Sequence, residues 1–201
     1  DGRVTQTLTA LRNTEGCHRA LEIYILSKQL LLDLVDYCAS REQFSFSRHL
    51  LQSRINTHKI MSYVHKGYAG RFQSVADYFQ RSMELLDPAV CAALFNDERP
   101  IRTKDMSNPS SYYGPESKVI RSLVSDGCFI EGTVRNCVLF RGVHVKPGAR
   151  IFNSIIMQGS EIGENTHLEH VILDKGVKIL PGRTLQGYDS FPIVIRKNQT
   201  V

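Results

Sequence analysis

Three consecutive segments of 17 residues decide the fold: NCVLFRGVHVKPGARIF (136–152), NSIIMQGSEIGENTHLE (153–169) and HVILDKGVKILPGRTLQ (170–186). Laid under one another, they agree without a gap. Leu139, Ile156 and Leu173 share one column, and Val145, Ile162 and Ile179 a second. Ile151, Leu168 and Leu185 form a third, and Gly142, Gly159 and Gly176 a fourth. Within a segment the aliphatics fall six, six and then five residues apart. Two residues before each sits a mostly small side chain: Cys137, Val143, Ala149; Ser154, Ser160, Thr166; Val171, Val177; Arg183 is the exception. A buried helix face repeats every 3.6 residues and a half-buried strand every two. A spacing near six, grouped in threes, instead fits a coil with three flat faces. Each face is a short strand, and each corner is a tight turn where Gly is tolerated. Stacked coils pair their strands in parallel and point one aliphatic per face into a narrow core. Each such side chain contributes about 1.5–3 kcal/mol, so neighbouring coils hold one another together. An ordinary antiparallel sheet would not keep three columns in register through three segments.

Working outward, Val119, Val124, Ile130 and Val134 continue the inward column toward the N-terminus. One side there is two residues short, at Glu131-Gly132-Thr133. The stack therefore holds about four coils. The expected core is Val124, Ile130, Val134, Leu139, Val145, Ile151, Ile156, Ile162, Leu168, Leu173, Ile179 and Leu185. The pattern resembles the hexapeptide repeat, which implies a left-handed parallel β-helix. Spacing alone does not fix the hand, and left-handed crossovers run against the usual rule for parallel strands. A terminal strand, Phe191-Pro192-Ile193-Val194-Ile195, follows.

The 201 residues accommodate one large or two modest domains, and a hydrophobic content of 42% is that of a globular chain. No window of about 18 apolar residues exists, so no transmembrane helix is expected. The start, Asp-Gly-Arg-Val-Thr, reads as neither a signal nor a transit peptide. The cysteines at 17, 38, 91, 128 and 137 form no CxxC pair, and the last two fall on small inward positions of the coils. Free thiols in a reducing, cytoplasmic setting are expected. The net charge of +5 comes from scattered residues without an interleaved aromatic stripe, which argues against nucleic-acid binding. A basic surface does suit small anions such as phosphorylated sugars.

Ahead of the coils, residues 2–10 alternate loosely and read as a strand. Ala20–Leu26 (ALEIYIL) is apolar enough for a central strand, and His58–Val64 reads as a third. Ser27 caps an expected helix through Ser40, with Leu30, Leu31, Leu34, Val35 and Cys38 as its buried stripe. A second helix runs from a cap at Ser45 or Ser47 to about Ile55. A third runs from Ser74 to Leu86, with Val75, Tyr78, Phe79 and Met83 on one face. Pro88 opens a short helical turn to Phe95. Residues 97–118 read as a Pro- and Ser-rich linker in which Pro100-Ile101-Arg102-Thr103 forms a short strand. The expected organisation is an α/β part over 1–96, the linker over 97–118 and the β-helix over 119–201. The first part holds few strands for a self-contained sheet, so the chain is expected to begin partway through a larger domain.

The ordered combination carries a resemblance. A Gly67-Tyr68 loop leads into a helix ending Met83-Glu84-Leu85-Leu86-Asp87. Then come Pro100-Ile101-Arg102-Thr103, a Pro109-Ser110-Ser111-Tyr112 linker and hexapeptide coils. The whole chain resembles the C-terminal half of the bacterial ADP-glucose pyrophosphorylase (glucose-1-phosphate adenylyltransferase) family, most closely its non-catalytic GlgD-type branch. The resemblance implies that residues 1–96 are the remainder of a nucleotidyltransferase-like, Rossmann-like domain. It also implies a glycine-rich nucleotide loop ahead of Asp1 in the full subunit.

The departures from the family pattern bear on function. Catalytic members read Gly-Tyr-Trp, a variable residue, Asp, an aliphatic and Gly-Thr, and the Asp binds magnesium. Here Arg71 stands in the place of that Asp, within Gly67-Tyr68-Ala69-Gly70-Arg71-Phe72-Gln73-Ser74. Magnesium selects carboxylate oxygens, and arginine offers only donors. Phe-Gly-Lys-Asp becomes Phe46-Ser47-Arg48-His49, and Met-Gly-Ile-Tyr becomes Leu21-Glu22-Ile23-Tyr24. The sugar-phosphate Glu-Lys-Pro is absent from residues 1–20. The chain alone is thus expected to be inactive, with Arg71, His49 and Glu22 as degenerate equivalents of catalytic positions and no metal ligands. Mg2+ and ATP are expected only in a catalytic glucose-1-phosphate adenylyltransferase partner, with which the subunit forms a hetero-oligomer. An anionic sugar phosphate is the expected effector class. Two alternatives stand beside this. One is an active sugar-phosphate nucleotidyltransferase. The other is a hexapeptide acyltransferase with His144, His167 or His170 as base, though no inserted loop accompanies these histidines.

Overall fold

The structure, a computed structural model, describes residues 2–7, 17–45, 49, 51–103 and 107–201. The chain forms two compact units, 1–66 and 67–201.

In the second unit, three parallel sheets of five strands each wrap into a three-sided stack. Sheet 1 contains β1 (Tyr112–Tyr113), β4 (Phe129–Ile130), β7 (His144–Val145), β10 (Glu161–Ile162) and β13 (Lys178–Ile179). Sheet 2 contains β2 (Lys118–Ile120), β5 (Thr133–Arg135), β8 (Arg150–Phe152), β11 (His167–Glu169) and β14 (Thr184–Gln186). Sheet 3 contains β3 (Leu123–Val124), β6 (Val138–Leu139), β9 (Ile155–Ile156), β12 (Val171–Leu173) and β15 (Ile193–Ile195). This is the parallel β-helix expected from the repeats, four full coils with a last lap that closes on β15.

The register follows the sequence columns. Val145 pairs with Ile162 and Ile162 with Ile179, seventeen residues apart each time. Ile130 pairs with Val145 only fifteen residues on, because the corner at Glu131-Gly132-Thr133 is short. A Cβ on Gly132 would sit 2.4 Å from the Ala149 carbonyl oxygen, so only glycine fits there. In the last lap Ile172 pairs with Val194, twenty-two residues on. The five extra residues form a small hairpin closed by the Tyr188–Phe191 bridge.

The inward column is Ile130, Val134, Leu139, Val145, Ile151, Ile156, Ile162, Leu168, Leu173 and Ile179, all buried; Val124 and Leu185, at the two ends, are half-buried. The small residues beside it, from Cys128 and Cys137 to Val171 and Val177, are buried too. Arg183 is exposed because it lies in the last lap, with no coil beyond to crowd it. Polar members of the column are satisfied by backbone. The Ser154 hydroxyl donates to the Phe152 carbonyl (2.6 Å) and accepts from the Val171 N–H (3.1 Å). Ser160 does the same between Asp174 O and Val177 N. At the corner between sheets 2 and 3 the chain takes positive φ at Arg121, Asn136, Asn153 and His170. The Asn136 amide donates to Asn153 at 3.2 Å along that corner.

Two helices precede the coils in this unit. Val75–Glu84 is capped by the Ser74 hydroxyl, and Pro88–Leu94 by the Asp87 carboxylate. The first of them lays Phe79, 1% exposed, against Val138, Ile155 and Ile172 on the outer face of sheet 3.

The first unit is helical where it is regular. The helix Lys28–Ala39 begins at the Ser27 cap, as the sequence predicts. Of its expected stripe only Leu34 is buried; Leu31 and Val35 are 41% and 54% exposed. Of the second expected helix, the described residues show Gln52–Arg54 with π-helical backbone at His49 and Leu51; Ser47, one of its two candidate caps, lies outside the described residues. The strands expected at Ala20–Leu26 and His58–Val64 do not form. Residues 2–7 make a single antiparallel bridge, Arg3 to Met61, and residues 8–10 lie outside the described set. An apolar run becomes a strand only when another backbone satisfies its N–H and C=O groups, and among the described residues of this unit no sheet offers one. The strand expected at Pro100–Thr103 is likewise absent.

Candidate functional site

The loop that enters the Val75–Glu84 helix carries Arg71. Its geometry is set by Tyr68, whose hydroxyl donates to Glu84 Oε2 at 2.6 Å. Glu84 is held in turn by an ion pair with Arg81, one turn earlier on the same helix. Gly70 closes against both partners, so that a Cβ there would lie 3.3 Å from Tyr68 Oη and 3.4 Å from Arg81 Cδ. Burial and the neighbouring Glu84 carboxylate push the Tyr68 phenol above its ordinary range. The Arg81 guanidinium holds the Glu84 carboxyl below the usual carboxylate range. The network ties Gly67–Phe72 to the helix at a tyrosine three residues before Arg71. Arg71 itself is half-buried. A guanidinium held there repels a divalent cation.

Glu22 and His49 belong to the first unit. Glu22 is exposed and has φ +60, the left-handed region that glycine enters freely and other residues enter at a cost of about 1–2 kcal/mol. Its side chain thus occupies a backbone conformation suited to a glycine. His49 closes a local turn: its N–H donates to Ser45 O (2.8 Å), and its Nδ1 accepts from Ser45 N (3.2 Å). Phe46, Ser47 and Arg48 lie outside the described residues. Among the described residues no three His, Cys, Asp or Glu side chains stand together as a metal site would require. No helix of the described residues is long and apolar enough to cross a membrane.

The three coil histidines have structural surroundings. His144 packs at a tilt against Phe129 (5.0 Å between centroids), which packs likewise against Tyr112 (5.8 Å). His167 packs edge-on to Phe152 (5.6 Å), and His170 lies against Phe79 (6.1 Å). Glu169 stands 3.9 Å from each of His167 and His170. Beside the Val75–Glu84 helix runs an open groove of about 440 Å³, lined among others by Phe72, Val75, Tyr78, Met157, Ile172 and Val194. Sequence reasoning missed the Tyr68–Glu84–Arg81 network, because a Tyr and a Glu sixteen residues apart carry no spacing signal.

Comparison with known proteins gives the kinship. A family model described as GlmU-like, C-terminal hexapeptide matches residues 110–190. Over 179 residues, 89% of this chain, it is 41% identical to the glycogen biosynthesis protein GlgD of Bacillus subtilis (strain 168), of which it spans 52%. Over 182 residues it is 29% identical to a glucose-1-phosphate adenylyltransferase of Acetivibrio thermocellus, covering 89% of this chain and 43% of that protein. A glucose-1-phosphate adenylyltransferase of Bacillus cytotoxicus is 28% identical over 170 residues, 83% of this chain and 45% of its own length. Over most of its length the chain is similar to GlgD and to the glucose-1-phosphate adenylyltransferases. It spans about half the length of the relatives it matches. Its identity to the GlgD protein, 41%, is greater than its identity to these two adenylyltransferases, 29% and 28%.

Proposed function

We propose that this chain belongs to a non-catalytic regulatory subunit in glycogen biosynthesis. In this reading it assembles with a catalytic glucose-1-phosphate adenylyltransferase and changes that partner's activity or its response to an anionic sugar-phosphate effector. The supporting observation is Arg71, in the place of the family's magnesium-binding carboxylate, on a loop fastened by Tyr68 and Glu84. At about 4 Å and an effective dielectric of 20, two unit charges interact by about 4 kcal/mol, so against a divalent ion about 8 kcal/mol turns from attraction to repulsion. The greater identity to GlgD than to the two adenylyltransferases supports the same reading. Modulation requires that one state of the partner bind this subunit more tightly than another.

Co-expression of the full-length subunit with the adenylyltransferase of its own organism tests the proposal. Size exclusion and an ADP-glucose assay, with and without sugar bisphosphate, are the readouts. The expected result is a joint complex with altered turnover and no product from this subunit alone. ADP-glucose formed by the purified subunit without partner would overturn the proposal. Gain of activity in Arg71→Asp would strengthen it.

A further inference from the structure

The cations of the coil region are scattered in sequence, but the register gathers four of them. On sheet 2 the outward column Lys118–Thr133–Arg150–His167–Thr184 runs beside Ile120–Arg135–Phe152–Glu169–Gln186. Lys118, Arg135 and Arg150 therefore stand on three successive strands, about 4.8 Å apart. Arg121 sits at the corner directly after β2. All four are exposed, and none pairs with a carboxylate among the described residues. Ile120, 51% exposed, and Phe152 add apolar area between them. The other two faces differ. Sheet 3 is covered by the chain's own helix through Phe79. Sheet 1 alternates in charge toward its end, with Glu161 paired in register to Lys178 and bridged to Lys146.

We propose that the outer face of sheet 2, around Lys118, Arg121, Arg135 and Arg150, docks an acidic surface of the partner subunit. The proposal rests on the functional reading above and says which face carries the assembly. Small ligands are held in concave sites, and the grooves found beside the Val75–Glu84 helix are lined from sheet 3 and its flanks rather than from this face. A face that sets unpaired cations beside exposed Ile120 and half-buried Phe152, with Glu169 as the one carboxylate in its outward columns, has the composition of a protein interface, where Arg and aromatic residues are enriched. Its charge selects an acidic counterpart and speeds encounter in low salt.

The test is binding of the full-length subunit to its adenylyltransferase at low and high salt, for wild type, R135E/R150E and K178E. The double reversal is expected to weaken the complex at least about tenfold and to flatten its salt dependence. K178E, on sheet 1, leaves both unchanged. R135Q/R150Q is expected to fall between, and circular dichroism melts check that the exposed substitutions leave the coils folded. Unchanged affinity in R135E/R150E overturns the docking face and leaves the proposed function standing. A wild type that binds no adenylyltransferase removes the proposed function, and a polyglutamate peptide then decides the face. Binding of that peptide by wild type and its loss in R135E/R150E support an acid-binding surface; no binding overturns it. Inorganic phosphate bound by wild type but not by the double variant, without peptide binding, overturns it in favour of a small anion.

Discussion

Gly132→Ala measures how tightly the short corner of the stack is drawn. The new Cβ would lie 2.4 Å from Ala149 O, 3.1 Å from Ala149 C and 3.1 Å from Lys146 O. All three are backbone atoms, so no rotamer change relieves the clash. Restoring ordinary contact requires a shift of roughly 1 Å between adjacent coils, which a close-packed interior resists. That shift strains two ladder bonds, Thr133 N to Ala149 O at 2.8 Å and Lys118 N to Gly132 O at 3.1 Å. Each is worth about 1 kcal/mol, and over-packing adds about 1–3 kcal/mol. The expected loss is about 3–5 kcal/mol. Gly142→Ala is the control, with φ +66 and nothing within 4 Å of its added Cβ. Its cost is conformational only, about 1–2 kcal/mol. Urea unfolding followed by far-ultraviolet circular dichroism is the assay, since the chain has no tryptophan. Hydrogen exchange at Thr133 and Lys118 reports the two bonds directly. A Gly132→Ala loss no larger than that of Gly142→Ala, with those amides still protected, would refute the reasoning.

Four further outcomes are expected. Ser154→Ala leaves the buried Val171 N–H without its acceptor and should cost about 1–3 kcal/mol in urea. Ser154→Cys should be milder, because Cys137 fills the same column one coil earlier with its thiol on Arg135 O. Phe79→Ala removes the side chain that seats the Val75–Glu84 helix on sheet 3 and should cost about 3–5 kcal/mol of that docking. Exchange of the helix amides should quicken while those of Ile155 and Ile172 stay slow. Burial pushes the Cys137 thiol up to about 12 and raises Cys128 as well. Alkylation of the native protein at pH 8 should therefore label exposed Cys17 and spare both coil cysteines, and modified Cys137 would contradict their burial. Because Arg81 depresses the Glu84 carboxyl, that pair stabilises the fold above the ordinary carboxylate range and loses its effect as pH falls through the lowered value. Glu84→Gln should flatten this acid-side dependence in a pH series of melts, and an unchanged profile would remove Glu84 from the network.

The coils could be read from sequence because each strand carries its partner with it. Val145 meets Ile162 seventeen residues on, so one stretch of chain specifies both sides of the pairing. The glycine column, the small column and the short corner at Gly132 are all local statements about that one stretch. The apolar runs of the first unit lack this property. Ala20–Leu26 satisfies the hydrophobic criterion for a strand, yet Ile23 is 78% and Ile25 100% exposed. An apolar run says what a segment can bury, and a strand further requires a neighbour that the run does not encode. Ser27 and Ser74 were legible because a cap and its N–H donor lie three residues apart; the start of the last helix was legible through Pro88, while its Asp87 cap was not read.

The candidate sites divide along the same line. Arg71 was legible as a departure within a short motif, and its chemistry follows from charge alone. The fastening of its loop was not, because Tyr68 and Glu84 meet only when the helix folds back on its own entry. The cations of sheet 2 form an intermediate case. Lys118, Arg121, Arg135 and Arg150 look scattered at a spacing of three, fourteen and fifteen residues. Counted by coil instead, Lys118 falls two strands from Arg150, and Arg135 falls on the strand between them. The same register that identified the core also places every outward side chain, so charge on a face of this fold is computable from sequence once the column spacing is known. Inward columns fix stability and tolerate little change; outward columns are free of that constraint. The cations of sheet 2 lie in two neighbouring outward columns and at the corner beside them, where the core places no demand on them, and recognition of an acidic surface is the proposal that accounts for their grouping.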